Sequence, residues 1–241
     1  MRLWVDTDIG DNPDDTIALW CAAHSPDVEL VGVSTVDGDV ALRASVARTL
    51  IPEVDVVAGA PAAERLATVD ALLGIGPWTN IAALSDSGML PPRVVLMGGV
   101  LGSVKHRGEV VRIEHNVGTD PVAAAHLLRS AGGLIVVPLD ATARVTAHPK
   151  DEDLLTSSIP YLGEQLQAWR AVHGPLPLVL HDPAALLIAM GERIARTESR
   201  RLVVEPDGVM LASVDGPLQR VVAYVNADAT RSRVTALAAS G

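Results

Sequence analysis

The chain is poor in aromatic residues and in cysteine, and both shortages limit what it can be. Phenylalanine is absent and aromatic side chains make up 2% of the 241 residues, so Ala, Val, Leu and Ile must supply the core. Hydrophobic residues reach 49% and charged residues only 20%, which is typical of a folded globular chain and excludes disorder. The single cysteine, Cys21, excludes an internal disulfide and a zinc site of four thiolates.

Basic residues and long apolar runs are also scarce. Lys and Arg number 19 against 29 Asp and Glu, which leaves a net charge of −10. Such a chain lacks the basic face that general nucleic-acid or anionic-membrane binders need, so we expect neither partner. No run approaches about 18 uncharged apolar residues, and the N-terminus carries no basic-then-apolar signal. These absences predict a cytoplasmic protein.

Short β-branched runs alternate with Ala-rich helical stretches along the chain. Strands are predicted at residues 2–5, 28–35, 54–58, 71–75, 94–97 and 134–138. Helices are predicted at residues 14–23, 41–50, 80–85, 121–130, 159–173 and 183–190, with further strands within 201–225. Strand–helix alternation at this spacing predicts an α/β fold, a doubly wound and mainly parallel sheet with helices on both faces. We expect one domain over residues 1–241.

Five of the ten residues after the first predicted strand are aspartates. Ligands of parallel sheets bind beyond the carboxyl ends of the strands, and like charges at this density repel unless a cation holds them. Carboxylate oxygens are the ligands that Ca²⁺ and Mg²⁺ prefer. Helix capping by Asn12, with Asp14 and Asp15 in the first turn, is the alternative, but it leaves Asp6 and Asp8 unexplained. The pattern therefore favours a metal site.

Three further polar segments follow apolar runs. They read Gly-Pro-Trp-Thr-Asn at 76–80, Glu-His-Asn at 114–116 and His-Asp-Pro at 181–183. Taken singly, each has an ordinary explanation, since Thr79, Asn80 or Asp182 could cap a helix and the second segment could be a solvated loop. Taken alone, His181 is more typical of an ordinary surface or core imidazole than of a catalyst.

Together and in order, these segments resemble the inosine–uridine-preferring nucleoside hydrolases. The family's signature is an Asp-x-Asp…Asp-Asp opening, a Gly-Pro-x-Thr-Asn turn, Met-Gly-Gly, Glu-x-Asn and a late His-Asp-Pro. Here the motifs stand at residues 6–15, 76–80, 97–99, 114–116 and 181–183. The resemblance spans residues 2–190. It implies a Ca²⁺-dependent enzyme of nucleoside catabolism and purine salvage that hydrolyses the N-glycosidic bond of purine or pyrimidine ribonucleosides, as a homodimer or tetramer.

The resemblance also implies which residues would hold the metal. Asp8, Asp15 and Asp182 would ligate Ca²⁺ through their carboxylates, and Thr79 would do so through its main-chain carbonyl. Asp14 would be the general base that deprotonates the attacking water. Such a division suits the chemistry, because a cation acidifies water and an adjacent carboxylate takes the proton.

Four other residues would surround the substrate by the same resemblance. Glu114 and Asn116 would hydrogen-bond the ribose, Met97 would pack near it, and His181 would assist departure of the base. An imidazole titrates near neutrality, and carboxylates stabilise the positive charge of an oxocarbenium-like sugar. Asp120 lies outside the motifs and is interpreted as a helix cap.

The chain departs from the family pattern in three places. Asp39 stands at a ribose-binding position that usually carries Asn, and Glu109 stands at a second such position. A carboxylate lacks the N–H donors of an amide and adds negative charge to an acidic site. The segment 59–70 is shorter than its counterpart, which carries part of a mobile lid over the base, so base recognition must come from elsewhere.

Two other functions fit the sequence less well. A Ca²⁺-dependent sugar or nucleoside binder that has lost turnover would account for Asp39 and Glu109. A phosphatase of the haloacid-dehalogenase class also opens with Asp-x-Asp, but it needs Thr or Val where this chain has Gly10. That class also needs a lysine near the phosphate, and the chain has only Lys105 and Lys150.

Overall fold

The structure is a computed structural model that describes residues 1–106 and 108–241. Its strands are β1 (Arg2–Thr7), β2 (Glu29–Thr35), β3 (Val56–Ala58), β4 (Ala71–Gly74), β5 (Arg93–Met97), β6 (Val104–His106), β7 (Glu109–Val111), β8 (Ile135–Val137), β9 (Ala195–Val204), β10 (Met210–Ala212) and β11 (Leu218–Val225). Its helices are α1 (Pro13–His24), α2 (Val40–Leu50), α3 (Thr79–Ser85), α4 (His115–Thr119), α5 (Pro121–Ser130), α6 (Leu139–Thr142), α7 (Pro149–Ser158), α8 (Leu162–His173), α9 (His181–Ala189) and α10 (Ala227–Ala238). A 3₁₀ turn, Ala63–Leu66, lies between β3 and β4.

The sheet confirms the predicted α/β, doubly wound architecture. Among the described residues, nine strands pair in the order β10-β9-β11-β8-β5-β4-β1-β2-β3, and β6 and β7 form a separate antiparallel hairpin. Every neighbouring pair from β3 to β11 is parallel, while β9 and β10 add an antiparallel edge. The strand order reverses between β1 and β4, and such a switch point opens a crevice where doubly wound sheets bind ligands.

Alternating side chains build a hydrophobic core on each face of the sheet. In β1, Leu3 and Val5 belong to one cluster of buried residues and Trp4 to the other. In β4, Leu73 belongs to the first cluster and Leu72 to the second, because successive strand residues point to opposite faces. Both faces of the sheet are therefore buried, which explains why its strands are almost continuously apolar. No described helix combines the length and the apolar character needed to cross a membrane.

The structure departs from the sequence prediction mainly after residue 100. The hairpin β6–β7 and the helices α7 and α10 are absent from that prediction. The strand β9 begins at Ala195 rather than at residue 201, because it pairs along the length of β11. The helix predicted at 159–173 begins only at Leu162, because Tyr161 adopts a left-handed backbone with φ of 63°.

Candidate active site

A cavity of about 360 Å³ opens beyond the carboxyl ends of β1, β4 and β5. Its volume lies in the range of small-molecule sites, and it lies at the switch point of the sheet. Eight of the ten residues predicted for the site line this cavity: Asp8, Asp14, Asp15, Met97, Glu114, Asn116, His181 and Asp182. The tertiary structure therefore brings together motifs that are up to about 170 residues apart in the chain.

Two helix starts bring the aspartates into contact. The first turn of α1 carries Asp14 and Asp15, and the first turn of α9 carries Asp182. One carboxylate oxygen from each of the three residues lies within 4.8 Å of the other two, and all three side chains are buried. Burial, followed by repulsion from neighbouring carboxylates, raises the pKa of Asp15 and of Asp182 well above the usual value. Asp8 contributes to this repulsion at both residues. The buried set of hard oxygen donors fits a divalent cation, because its charge would offset the repulsion.

The structure confirms that Asp14 and Asp15 lie in the first turn of α1, but the predicted helix caps at Asn12, at Thr79 or Asn80, and at Asp182 are wrong. Asn12 occupies the cap position of α1, but its side chain makes no cap hydrogen bond and instead accepts one from the Trp169 indole at 3.0 Å. Asp182 and Asn80 lie inside the first turns of α9 and α3 rather than before them. Asp120, by contrast, accepts from a main-chain N–H of α5, which confirms its interpretation as a cap.

Glu114 and Asn116 are buried, so their interpretation as a solvated loop is also wrong. The Glu114 carboxylate accepts hydrogen bonds from the main-chain N–H groups of Gly99 at 2.7 Å and Asn116 at 2.9 Å. Burial raises the pKa of Glu114, and these hydrogen bonds oppose the rise. The Asn116 amide donates to the carbonyls of Ile75 at 3.1 Å and Met97 at 3.2 Å. Both side chains thus connect α4 to the ends of β4 and β5.

Three imidazoles face the same cavity, of which the sequence predicts only His181 as a site residue. Nδ1 of His181 lies 2.8 Å from the Thr142 hydroxyl oxygen, and this hydrogen bond holds the ring. His106 packs against His181 with ring centroids 5.0 Å apart and planes at 66°. Nε2 of His115 lies 3.6 Å from a carboxylate oxygen of Asp8, and hydrogen bonding to Asp8 raises the pKa of His115.

Two predicted site residues do not line the cavity. Thr79 is the first residue of α3, and its hydroxyl donates to the Asp120 carboxylate at 2.7 Å. Asp39 caps α2 by accepting from the Leu42 N–H at 3.0 Å, and its side chain lies in a separate cleft beside Arg43. Asp39, which the sequence predicts as a ribose contact, thus lies outside the lining of the cavity that holds the aspartates.

Asp6 lies behind the aspartate cluster, at the end of β1, and is buried. One of its carboxylate oxygens accepts from the Ser34 hydroxyl and from the Asn80 amide, while the other has no hydrogen-bond partner among the described residues. Burial raises the pKa of Asp6 to about 7. Asp6 therefore connects β1, β2 and α3 beneath the site.

The loop between β1 and α1 is held by Arg43, which the sequence prediction misses. The guanidinium donates to the main-chain carbonyls of Asp8, Ile9 and Asp37, the last two at 3.1 and 2.9 Å. It also forms ion pairs with Asp11 at 3.1 Å and with Asp37 at 3.6 Å. The sequence does contain one indication of this role. Arg43 lies one turn into the helix that follows β2, and the loop before α1 has an excess of carboxylates.

The fold and the site define an α/β protein with a carboxylate cluster suited to a cation at the switch point of its sheet. Residues 54–232 match the family model of the inosine-uridine preferring nucleoside hydrolases, and the chain belongs to this family. The match confirms the resemblance found in the sequence motifs.

Individual relatives agree with this assignment. The chain is 32% identical over 149 residues to a non-specific ribonucleoside hydrolase, RihC, of Salmonella agona, a match that covers 57% of this chain and 46% of that protein. The chain thus spans about half the length of this curated relative. An uncharacterized protein of Schizosaccharomyces pombe is 28% identical, with 87% of this chain and 82% of that protein covered.

Solved structures establish the fold independently. A plant nucleoside hydrolase superposes with a TM-score of 0.82 at 18% identity, covering 100% of this chain and 99% of that one. A purine-preferring ribonucleoside hydrolase from Gardnerella vaginalis superposes with a TM-score of 0.78 at 22% identity, with both chains covered completely.

Replacement of Arg43 is expected to weaken cation binding, although it removes no carboxylate from the site. In Arg43→Ala, the carbonyls of Asp8 and Ile9 lose their donor and the loop loosens, so the dissociation constant for Ca²⁺ should rise about 10-fold, as for other residues that position metal ligands. Arg43→Lys should not restore affinity, because an ammonium cannot form the forked contacts. Isothermal titration calorimetry measures the dissociation constant of each variant for Ca²⁺. Arg48→Ala, on the same helix, is the control. Equal Ca²⁺ affinity in the wild type and Arg43→Ala would show that Arg43 does not position the site.

Proposed function

We propose that this chain hydrolyses the N-glycosidic bond of purine or pyrimidine ribonucleosides, releasing the free base and ribose. The observation that carries the proposal is the convergence of four buried aspartates and His181 in one cavity, in a chain of the nucleoside hydrolase family. The proposed role is in nucleoside catabolism and purine salvage.

The proposed metal is Ca²⁺, held by the carboxylates of Asp8, Asp15 and Asp182 and by the main-chain carbonyl of Thr79. All four donors are hard oxygens. The raised pKa values of Asp15 and Asp182 reflect burial first and then repulsion between carboxylates, and a divalent cation would offset that repulsion. When bound, such a cation supplies Lewis-acid chemistry, because it lowers the pKa of water and orients it.

Asp14 is the proposed general base. Its carboxylate lies within 4.8 Å of those of Asp15 and Asp182, close enough to the proposed ligands to receive a proton from a water beside them. As the C1′–N bond breaks, its electron pair leaves with the base, and the water oxygen bonds to C1′. Glu114, buried on the same cavity wall, adds negative charge that stabilises the positive sugar.

His181 is the proposed donor to the departing base. The hydrogen bond between Thr142 and Nδ1 fixes the ring, so the ring's Nε2 is the nitrogen oriented for substrate. The proton it delivers balances the negative charge that the base acquires. Asn116 and Met97 are proposed to contact the ribose, since both line the cavity beside the aspartates.

The remaining proposals concern the whole protein. We propose that residues 1–241 act as one domain, that the protein is a cytoplasmic homodimer or tetramer, and that it binds neither nucleic acid nor membranes. The net charge of −10 supports the last of these.

Sugar release tests the proposed function directly. Reducing-sugar release is measured from inosine, uridine and p-nitrophenyl riboside, with Ca²⁺ and with EDTA. We expect release with Ca²⁺ and at least a 100-fold loss with EDTA, because the aspartates cannot activate water alone. Absence of release from all three, with Ca²⁺ still bound by calorimetry, would support the binding protein instead. Phosphate release from p-nitrophenyl phosphate would support the phosphatase.

Substitutions of the aspartates distinguish the proposed general base from the proposed metal ligands. Asp14→Asn should retain Ca²⁺ binding and lower kcat by 100-fold or more, because the amide cannot accept the proton. Asp8→Ala and Asp15→Ala should abolish Ca²⁺ binding by calorimetry. The control is Asp207→Asn, in the turn between β9 and β10. If Asp8→Asn keeps Ca²⁺ but loses turnover while Asp14→Asn loses Ca²⁺, the two roles are exchanged.

Two substrates with different leaving groups test the proposed role of His181 as a proton donor. His181→Ala should slow inosine, whose base leaves poorly, by about 100-fold or more, and p-nitrophenyl riboside much less, because nitrophenolate leaves without protonation. The ratio of kcat values for the two substrates is the measured quantity. A loss of the same size on both substrates would contradict assistance to the leaving base.

A further inference from the structure

The hairpin of β6 and β7 forms the wall of the cavity beside His181. Its strands pair with each other and lie outside the nine-stranded sheet. It contributes His106 and Val111 to the cavity lining, and Ile113 follows immediately after it. Of the described residues in the short 59–70 segment, none lines the cavity. The hairpin is therefore the segment that shapes this side of the site.

The imidazole rings of His106 and His181 pack against each other. The centroid distance of 5.0 Å and the interplanar angle of 66° correspond to an edge-to-face pair, an arrangement favoured by the charge distribution of aromatic rings. Because Thr142 orients the His181 ring, the position of His106 is defined relative to the group proposed to contact the departing base.

Histidines supply the aromatic rings among the described residues that line this cavity. Among the described residues that line it, there is no phenylalanine, tyrosine or tryptophan. The chain's four tryptophans lie in the buried cores: Trp4, Trp20, Trp78 and Trp169. His115 lies beside Asp8, whereas His106 packs against His181, the residue proposed to contact the departing base.

We propose that His106 contacts the nucleobase and determines affinity for it, by packing its imidazole against the flat heterocycle while His181 donates to that base. This inference rests on the proposed function. A heterocyclic base gains affinity by stacking on a planar side chain, and histidine is among the residues that serve this purpose. Stacking tolerates different bases, because each presents a flat face. The ligand class is therefore a purine or a pyrimidine, with weak discrimination between them.

The effect of His106 should be confined to ligands that contain a base. Loss of one stacked ring weakens base binding by about 10-fold, whereas ribose, which has no base, should bind unchanged. For inosine, KM should rise in His106→Ala.

The test measures dissociation constants for hypoxanthine, uracil and ribose by calorimetry with Ca²⁺ present. None of these contains the bond that the proposed reaction cleaves, so binding is measured whether or not nucleosides are hydrolysed. The variants are His106→Ala, His106→Phe, which keeps a ring, and the control Lys105→Ala on the same strand, whose exposed side chain is outside the cavity lining.

The expected result is 10-fold weaker base binding in His106→Ala, near-normal binding in His106→Phe and Lys105→Ala, and unchanged ribose binding throughout. Undiminished base binding in His106→Ala, or absence of base binding by the wild type, would overturn the inference. Equal weakening of base and ribose would also overturn it, because His106 would then support the whole site. If base binding depends on His106 but no nucleoside is hydrolysed, the inference stands and the proposed hydrolase activity fails.

Discussion

Repulsion between buried carboxylates is the constraint on which the rest of the site depends. Asp14 and Asp15 from α1 and Asp182 from α9 hold oxygens within 4.8 Å of one another away from solvent. Burial and mutual repulsion raise the pKa of Asp15 and Asp182, so the charged cluster is unfavourable on its own. Its position at two helix N-termini, where backbone N–H groups are partly positive, offsets part of that cost. A divalent cation would offset the remainder, which is why the cluster suits a metal.

Neighbouring polar groups hold these carboxylates in place and oppose part of the rise in the pKa of Asp15. The Thr7 hydroxyl donates to Asp15 at 2.5 Å, and Arg43 holds the preceding loop through its main-chain carbonyls. Asp6 connects the loop's base to the adjacent β2 and α3 through Ser34 and Asn80. The guanidinium of Arg43 contacts carbonyls of this loop and the carboxylates of Asp11 and Asp37.

The hairpin β6–β7, and not the segment between β3 and β4, contributes to the cavity beside His181. The segment between β3 and β4 contains only a 3₁₀ turn, and the described residues there stay away from the cavity. The hairpin β6–β7, which pairs with no other strand of the described chain, reaches the cavity beside His181. The hairpin thus adds to the cavity from a part of the chain that supplies none of the four aspartates.

The sequence alone determined the α/β fold, the family and eight of the residues that line the cavity, because apolar periodicity and short motifs are local properties. It also predicted Asp120 as a cap correctly. Only the tertiary structure decided that Asp182 lies inside a helix, that Glu114 is buried, and that Arg43 and His106 belong to the site. Those outcomes depend on contacts between segments far apart in the chain. Burial, long-range hydrogen bonds and ring packing arise when the segments meet. Local patterns give at most an indirect indication of them, such as the arginine that follows the carboxylate-rich loop.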